Sequence, residues 1–194
     1  MGHSFSDLGA EILLIENLLE PDFCAHLIQV AECCEFESPP RGMEATGSEL
    51  RSGEVLLLDN RNPLLESTNQ LLLSKVNRIR GLLTKRYAVV FSQAEMYSIE
   101  RYRPGERYKR HLDGLVLSNR YEELARGIPA RDVTVIGFLN DNFEGGEILF
   151  DRQSLKVKPS IGSAIAFPAY YTHPYQALPV LRGCKYIFLS WLIR

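Results

Sequence analysis

The chain has little cysteine, one tryptophan and no surplus of charge of either sign. Its four cysteines, Cys24, Cys33, Cys34 and Cys184, form no Cys-x-x-Cys pair, which excludes a disulfide framework or a thiolate zinc site as the organising feature. Twenty-two basic against 24 acidic residues leave a net charge of -2, so nothing draws the chain toward a polyanion, and neither nucleic acid nor an anionic membrane is expected as a partner. No apolar run approaches the length that crosses a bilayer, and Met1-Gly2-His3-Ser4-Phe5-Ser6-Asp7 lacks the basic-then-apolar pattern of a secretory signal. A cytoplasmic protein is expected. Internal repeats and low-complexity segments are absent too.

What is present suits one globular domain over residues 1–194, with 45% hydrophobic and 24% charged positions. Glu11 to Ile15 is a short apolar run that reads as a strand. Pro21 suits a first helical turn, Asp22 complements the helix dipole, and Phe23, Leu27, Val30 and Ala31 recur at helical spacing. Residues 35–53 form a polar loop containing Ser38-Pro39-Pro40-Arg41-Gly42. A longer helix is predicted from Pro63 to about Leu83, with Leu65, Leu72, Val76, Ile79 and Leu83 as its apolar stripe.

From residue 87 onward the character changes. Strand-like runs occur within Tyr87 to Tyr102 and at Val133 to Leu139, Glu147 to Phe150, Leu155 to Val157, Ser163 to Phe167 and Tyr186 to Ile193. Asn140-Asp141-Asn142, Gly145-Gly146, Pro159 and Gly162 supply the turns. Residues 1–86 are thus expected to give helical support to an antiparallel sandwich or barrel built by residues 87–194.

The chemistry is concentrated in Tyr102-Arg-Pro-Gly-Glu-Arg-Tyr-Lys-Arg-His-Leu-Asp-Gly114. His111 and Asp113 lie two apart, and residues i and i+2 of an extended segment share a face, so an imidazole and a carboxylate converge. With a second imidazole they would make the two-His, one-carboxylate face of a non-haem Fe(II) oxygenase. His173, downstream in a loop-like segment, is the candidate third ligand. Lys185 opens the last strand, where a buried ammonium requires an anion such as the far carboxylate of an oxoacid. Arg182 is the alternative cation if the strand register differs.

These residues, in this order, resemble the prolyl 4-hydroxylase-like group of Fe(II)- and 2-oxoglutarate-dependent oxygenases. The landmarks are Tyr102-x-Pro-Gly with Tyr108-x-x-His111-x-Asp113, then Phe143-Glu-Gly-Gly-Glu147 with Phe150, Pro159-x-x-Gly162 to Phe167-Pro168, His173, and Pro179-Val-x-x-Gly183-x-Lys185 with Trp191. The resemblance implies a mainly β fold, a double-stranded β-helix of jelly-roll, cupin-like type supported by two N-terminal helices. It implies iron held by His111, Asp113 and His173, with 2-oxoglutarate and O2 as cosubstrates and ascorbate as a candidate reductant. Lys185 would bind the distal carboxylate of 2-oxoglutarate, Tyr102 would position the cosubstrate, and Thr134 would line the same pocket. The implied reaction hydroxylates an aliphatic C–H of a prolyl residue, a proline-like amino acid or another small molecule, releasing succinate and CO2.

Two departures stand out. The segment from His173 to Lys185 is a couple of residues longer than the family's usual spacing. Phe167 is followed by Pro168, a pattern shared with bacterial members of mixed substrate range, whereas the family's animal and plant protein-hydroxylating members tend to carry tryptophan there. A noncatalytic or sensory binding module on the same fold is the alternative, favoured if His173 lies away from the metal. Residues 35–53 and 115–132 are the candidate lids.

Overall fold

The computed structural model describes residues 4–38, 50–58, 62–95, 97–113, 125 and 130–194; most of both candidate lids falls outside these. In chain order the elements are β1 (Ser4–Asp7), β2 (Leu13–Glu16), α1 (Pro21–Glu32), β3 (Glu54–Leu57), α2 (Pro63–Tyr87), β4 (Gln93–Ala94), β5 (Ser98–Tyr102) and β6 (Tyr108–His111). They continue with β7 (Val133–Phe138), β8 (Glu144–Gly145), β9 (Ile148–Phe150), β10 (Leu155–Val157), β11 (Ala164–Pro168), β12 (Tyr175–Ala177), β13 (Val180–Arg182) and β14 (Lys185–Ile193).

Strands β1-β2-β11-β7-β14-β5-β3 form one antiparallel sheet, with β4 also paired to β14, and β10-β9-β12-β6 form a second. The period-2 alternation of side chains divides the large sheet between two cores. Val133, Val135, Ala164, Ala166 and Phe188 pack on one face with the apolar stripes of α1 and α2. Ile136, Phe138, Ile165, Phe167, Ile187 and Leu189 point the other way and meet Ile148, Phe150, Tyr175 and Ala177 of the smaller sheet. The two sheets therefore close over a shared apolar interior, the antiparallel sandwich expected from the strand pattern and the jelly roll that the resemblance implies.

Both helices form where their signals lie. Pro21 occupies the first turn of α1, which buries Cys24, Leu27, Val30 and Ala31. Asn62 caps α2 by accepting a hydrogen bond from the Leu64 amide at 2.9 Å, and Pro63 opens its first turn. The helix buries Leu65, Thr68, Leu72, Val76, Ile79 and Leu83, and it ends where Ala88 turns left-handed at φ 52°. It therefore runs through Tyr87, which the sequence reading had given to a strand.

Residues before Tyr87 do more than support. The β1–β2 hairpin extends one edge of the large sheet through β11, and β3 extends the other through β5. The change in character near residue 87 marks where the helices stop, while the sheet draws strands from both sides of it.

Candidate active site

β6 delivers His111 to the barrel interior, and one hydrogen bond sets its chemistry. The ring's Nδ1 lies 2.7 Å from the Lys109 carbonyl, which can only accept, so Nδ1 carries the proton and Nε2 keeps a lone pair. That Nε2 is buried and has no hydrogen-bond partner among the described residues. It lies 3.5 Å from Asp113 Oδ1, each side chain being only 5% exposed. Two lone-pair atoms that close, with no proton to share, are satisfied by a cation between them. The pair thus fits part of the iron site expected from the sequence.

Asp113 is held from its other oxygen. Oδ2 accepts from Thr134 Oγ1 at 2.8 Å and from the Tyr175 hydroxyl at 2.9 Å. Burial pushes this carboxyl up, while the Thr134 hydroxyl and the Trp191 indole favour its charged form. The indole N–H of Trp191 favours the carboxylate electrostatically while making no hydrogen bond among the described residues. Thr134, fully buried on β7, thereby serves the aspartate.

The structure does not bring His173 to this pair. Its Nε2 lies 2.6 Å from the Ala10 carbonyl and its Nδ1 lies 2.8 Å from Thr172 Oγ1, so both ring nitrogens are engaged elsewhere. Among the described residues, no group of three His, Cys, Asp or Glu side chains gathers at one point. Of the expected His111, Asp113 and His173 set, the structure brings the first two together and holds the third at Ala10 and Thr172. In the sheet the residue opposite His111 is Tyr175, two positions after His173, which accounts for the surplus of about two residues before Lys185. Tyr175 lies with its ring centroid 4.3 Å from that of His111 and packs against Phe167 at 5.0 Å. Sequence reasoning did not single out Tyr175 because the imidazole two positions earlier drew the attention; the spacing to Lys185 was the signal for which residue faces His111.

Lys185 begins β14 on the face that points inward, opposite Tyr102 of β5. It is fully buried, donates to the Gly146 carbonyl at 2.7 Å, and lies 5.6 and 5.5 Å from the ring centres of Tyr102 and Phe138. Gly146 turns left-handed at φ 66°, which directs that carbonyl and leaves room for the lysine stem. Burial pushes the Lys185 ammonium down to about 8, while Glu100 and Glu147 pull it back up. The alternative cation, Arg182, is exposed and pairs with Glu144 at 3.3 Å.

Around Lys185 the polar groups form a chain. Tyr102 donates to Glu100 Oε2 at 2.7 Å, and the other oxygen of Glu100 pairs with Arg51. Arg51 in turn lies over Tyr108, whose ring stacks on His111 at 3.5 Å and 8°. Gly53 has no side chain because a Cβ there would run into the Tyr102 ring. A cleft of about 530 Å³ borders this region, lined by Glu37, Arg51, Glu95, Glu100, Arg131 and Trp191. Arg131 is held there by Glu95 at 2.7 and 2.8 Å, and its guanidinium carbon lies 3.5 Å from the Trp191 ring centre.

The chain is similar to several known proteins. A putative prolyl 4-hydroxylase of Acanthamoeba polyphaga mimivirus is 27% identical over 188 residues, covering 92% of this chain and 72% of that protein. Prolyl 4-hydroxylase 1 of Arabidopsis thaliana is 28% identical over 80% of this chain, which spans 56% of that longer enzyme. Among solved structures, the viral collagen prolyl hydroxylase of Paramecium bursaria Chlorella virus-1 superposes with a TM-score of 0.67 at 22% identity, covering 95% of this chain and 96% of that one. Residues 97–193, half of the chain, match the sequence model of the 2OG-Fe(II) oxygenase superfamily. The chain belongs to that superfamily, whose members are oxidoreductases that use Fe(II), 2-oxoglutarate and O2.

Proposed function

We propose that this oxygenase hydroxylates an aliphatic C–H of a prolyl residue in a peptide, with a free proline-like amino acid as the nearest alternative substrate, and that 2-oxoglutarate leaves as succinate and CO2. The prolyl hydroxylases among its relatives support the substrate class, and the collagen enzyme supports a polypeptide. The observation that carries the reading is the buried lone-pair couple at His111 and Asp113, with a buried ammonium in the same barrel.

The iron, when bound, supplies O2 activation and the oxidant that attacks the C–H bond. The chain's own residues do the rest. His111 Nε2 and Asp113 would hold the metal, with the Lys109 carbonyl fixing the imidazole tautomer and Thr134 fixing the carboxylate. Lys185 would pair with the far carboxylate of 2-oxoglutarate in a charge-assisted bond, and Tyr102 would wall that pocket. Phe138, Phe150 and Phe167 exclude water from the interior, and the cleft beside Trp191 receives the substrate. Ascorbate is the reductant proposed to keep the iron ferrous. No helix among the described residues is long and apolar enough to cross a membrane. All four thiols are free, which supports a cytoplasmic compartment.

The reading is tested with Fe(II), 2-oxoglutarate and a panel of proline-rich peptides and free proline, following succinate and a mass gain of one oxygen. Turnover should appear with one member of the panel and vanish in His111→Ala. The displacement of His173 favours a second reading, a module that binds metal and oxoacid without turning over. Calorimetric binding of 2-oxoglutarate with no succinate under any condition would establish that second reading and overturn the first.

A further inference from the structure

We propose that Tyr175 is the third protein donor of the metal centre, making a His, Asp and Tyr set where the sequence predicts two imidazoles and a carboxylate. The proposal rests on the oxygenase reading, in which His111 and Asp113 hold the iron. β12 sets Tyr175 directly across from His111 in the smaller sheet, and the phenol oxygen lies 2.9 Å from Asp113 Oδ2. The side chain is 3% exposed, with Phe150 and Phe167 against its ring, so it has no ready route to another position. Two independent observations point at a ligand. His111 Nε2 is a buried lone pair without a partner, and no third His, Cys, Asp or Glu joins the pair among the described residues. The nearby imidazole, His173, is spent on Ala10 and Thr172.

The exchange balances simply. Tyr175 would hold the metal through its phenol oxygen in exchange for the hydroxyl proton, which would leave to solvent, and Asp113, freed of that hydrogen, would hold the same ion. Two anionic oxygens and one neutral imidazole would then match the charge of a divalent ion. A phenolate is a harder, more electron-rich donor than an imidazole and favours the ferric state.

The test loads the full-length chain with Fe(II) without oxygen and then oxidises it to Fe(III). Wild type should become coloured through a phenolate-to-iron(III) charge-transfer band, with phenolate ring modes in resonance Raman. Tyr175→Phe should stay folded by circular dichroism and lose the band. Its Fe(II) affinity should fall by no less than the roughly tenfold that losing even a supporting partner costs. Tyr175→His should bind Fe(II) without the band, and His111→Ala should bind neither ion. A colourless wild-type complex whose binding depends on His111 overturns this proposal and leaves the oxygenase reading standing. A band that survives in Tyr175→Phe and vanishes in Tyr108→Phe also overturns it. Folded wild type that takes up no iron sinks both.

Discussion

In the role proposed for it, Lys185 trades stability for binding. Its ammonium is buried with one carbonyl acceptor and two aromatic rings, an environment that favours the neutral amine and holds the group at about 8. Binding a carboxylate requires the cation, so 2-oxoglutarate affinity should be level below pH 8. Above it, affinity should weaken about tenfold per pH unit, with proton uptake on binding visible by calorimetry in buffers of different ionisation heat. The sign for stability is the reverse of a salt-bridged lysine. Because the folded value lies below the ordinary one, the cost of burying the charge is fully present below about 8 and disappears as pH rises past the ordinary lysine value. Lys185→Met should therefore raise the denaturation midpoint at neutral pH while weakening 2-oxoglutarate binding by about 2–5 kcal/mol. A variant that loses both stability and affinity would contradict this account.

At the scale of elements, long periodic segments were legible and short ones were not. The stripe of α2 repeats over about five turns, so Leu65, Leu72, Val76, Ile79 and Leu83 announce their common face before any fold is known, and all five are buried. Leu72→Ala, at a position with no solvent exposure, should cost about 2–5 kcal/mol in chemical denaturation with the slope unchanged. β12 is the opposite case. Three residues carry no measurable alternation, and its neighbour His173 offers chemistry that outweighs a phenol in any reading by residue type. Which of positions 173 and 175 faces His111 is decided by where the loop ends and pairing with β6 begins, and only the register shows that. The inward-facing Lys185 was legible because a cation at the start of a long apolar strand has few places to go.

At the scale of the whole molecule, what the sequence hid is what joins distant segments. Arg51 and Glu100 are 49 positions apart, yet they form a buried ion pair that ties the segment before β3 to β5, and through Tyr108 and Tyr102 to both halves of the site. No local pattern marks either residue, since a lone arginine in a polar stretch reads as solvated. Arg51→Met leaves Glu100 buried without its cation and should destabilise the fold by about 3–5 kcal/mol in chemical denaturation. A variant as stable as the wild type would show that the pair does not hold these segments together.

His173 has a further consequence for anyone shortening this chain. Its ring fastens the segment leading into β12 to the carbonyl of Ala10, in the bend between β1 and β2. A version trimmed to begin at Leu13 would keep every residue assigned to the reaction, yet it would unhook the segment that seats Tyr175. Trimming the amino end should loosen the distant centre first, seen as faster amide exchange at residues 172–177 in a protein whose helices remain intact.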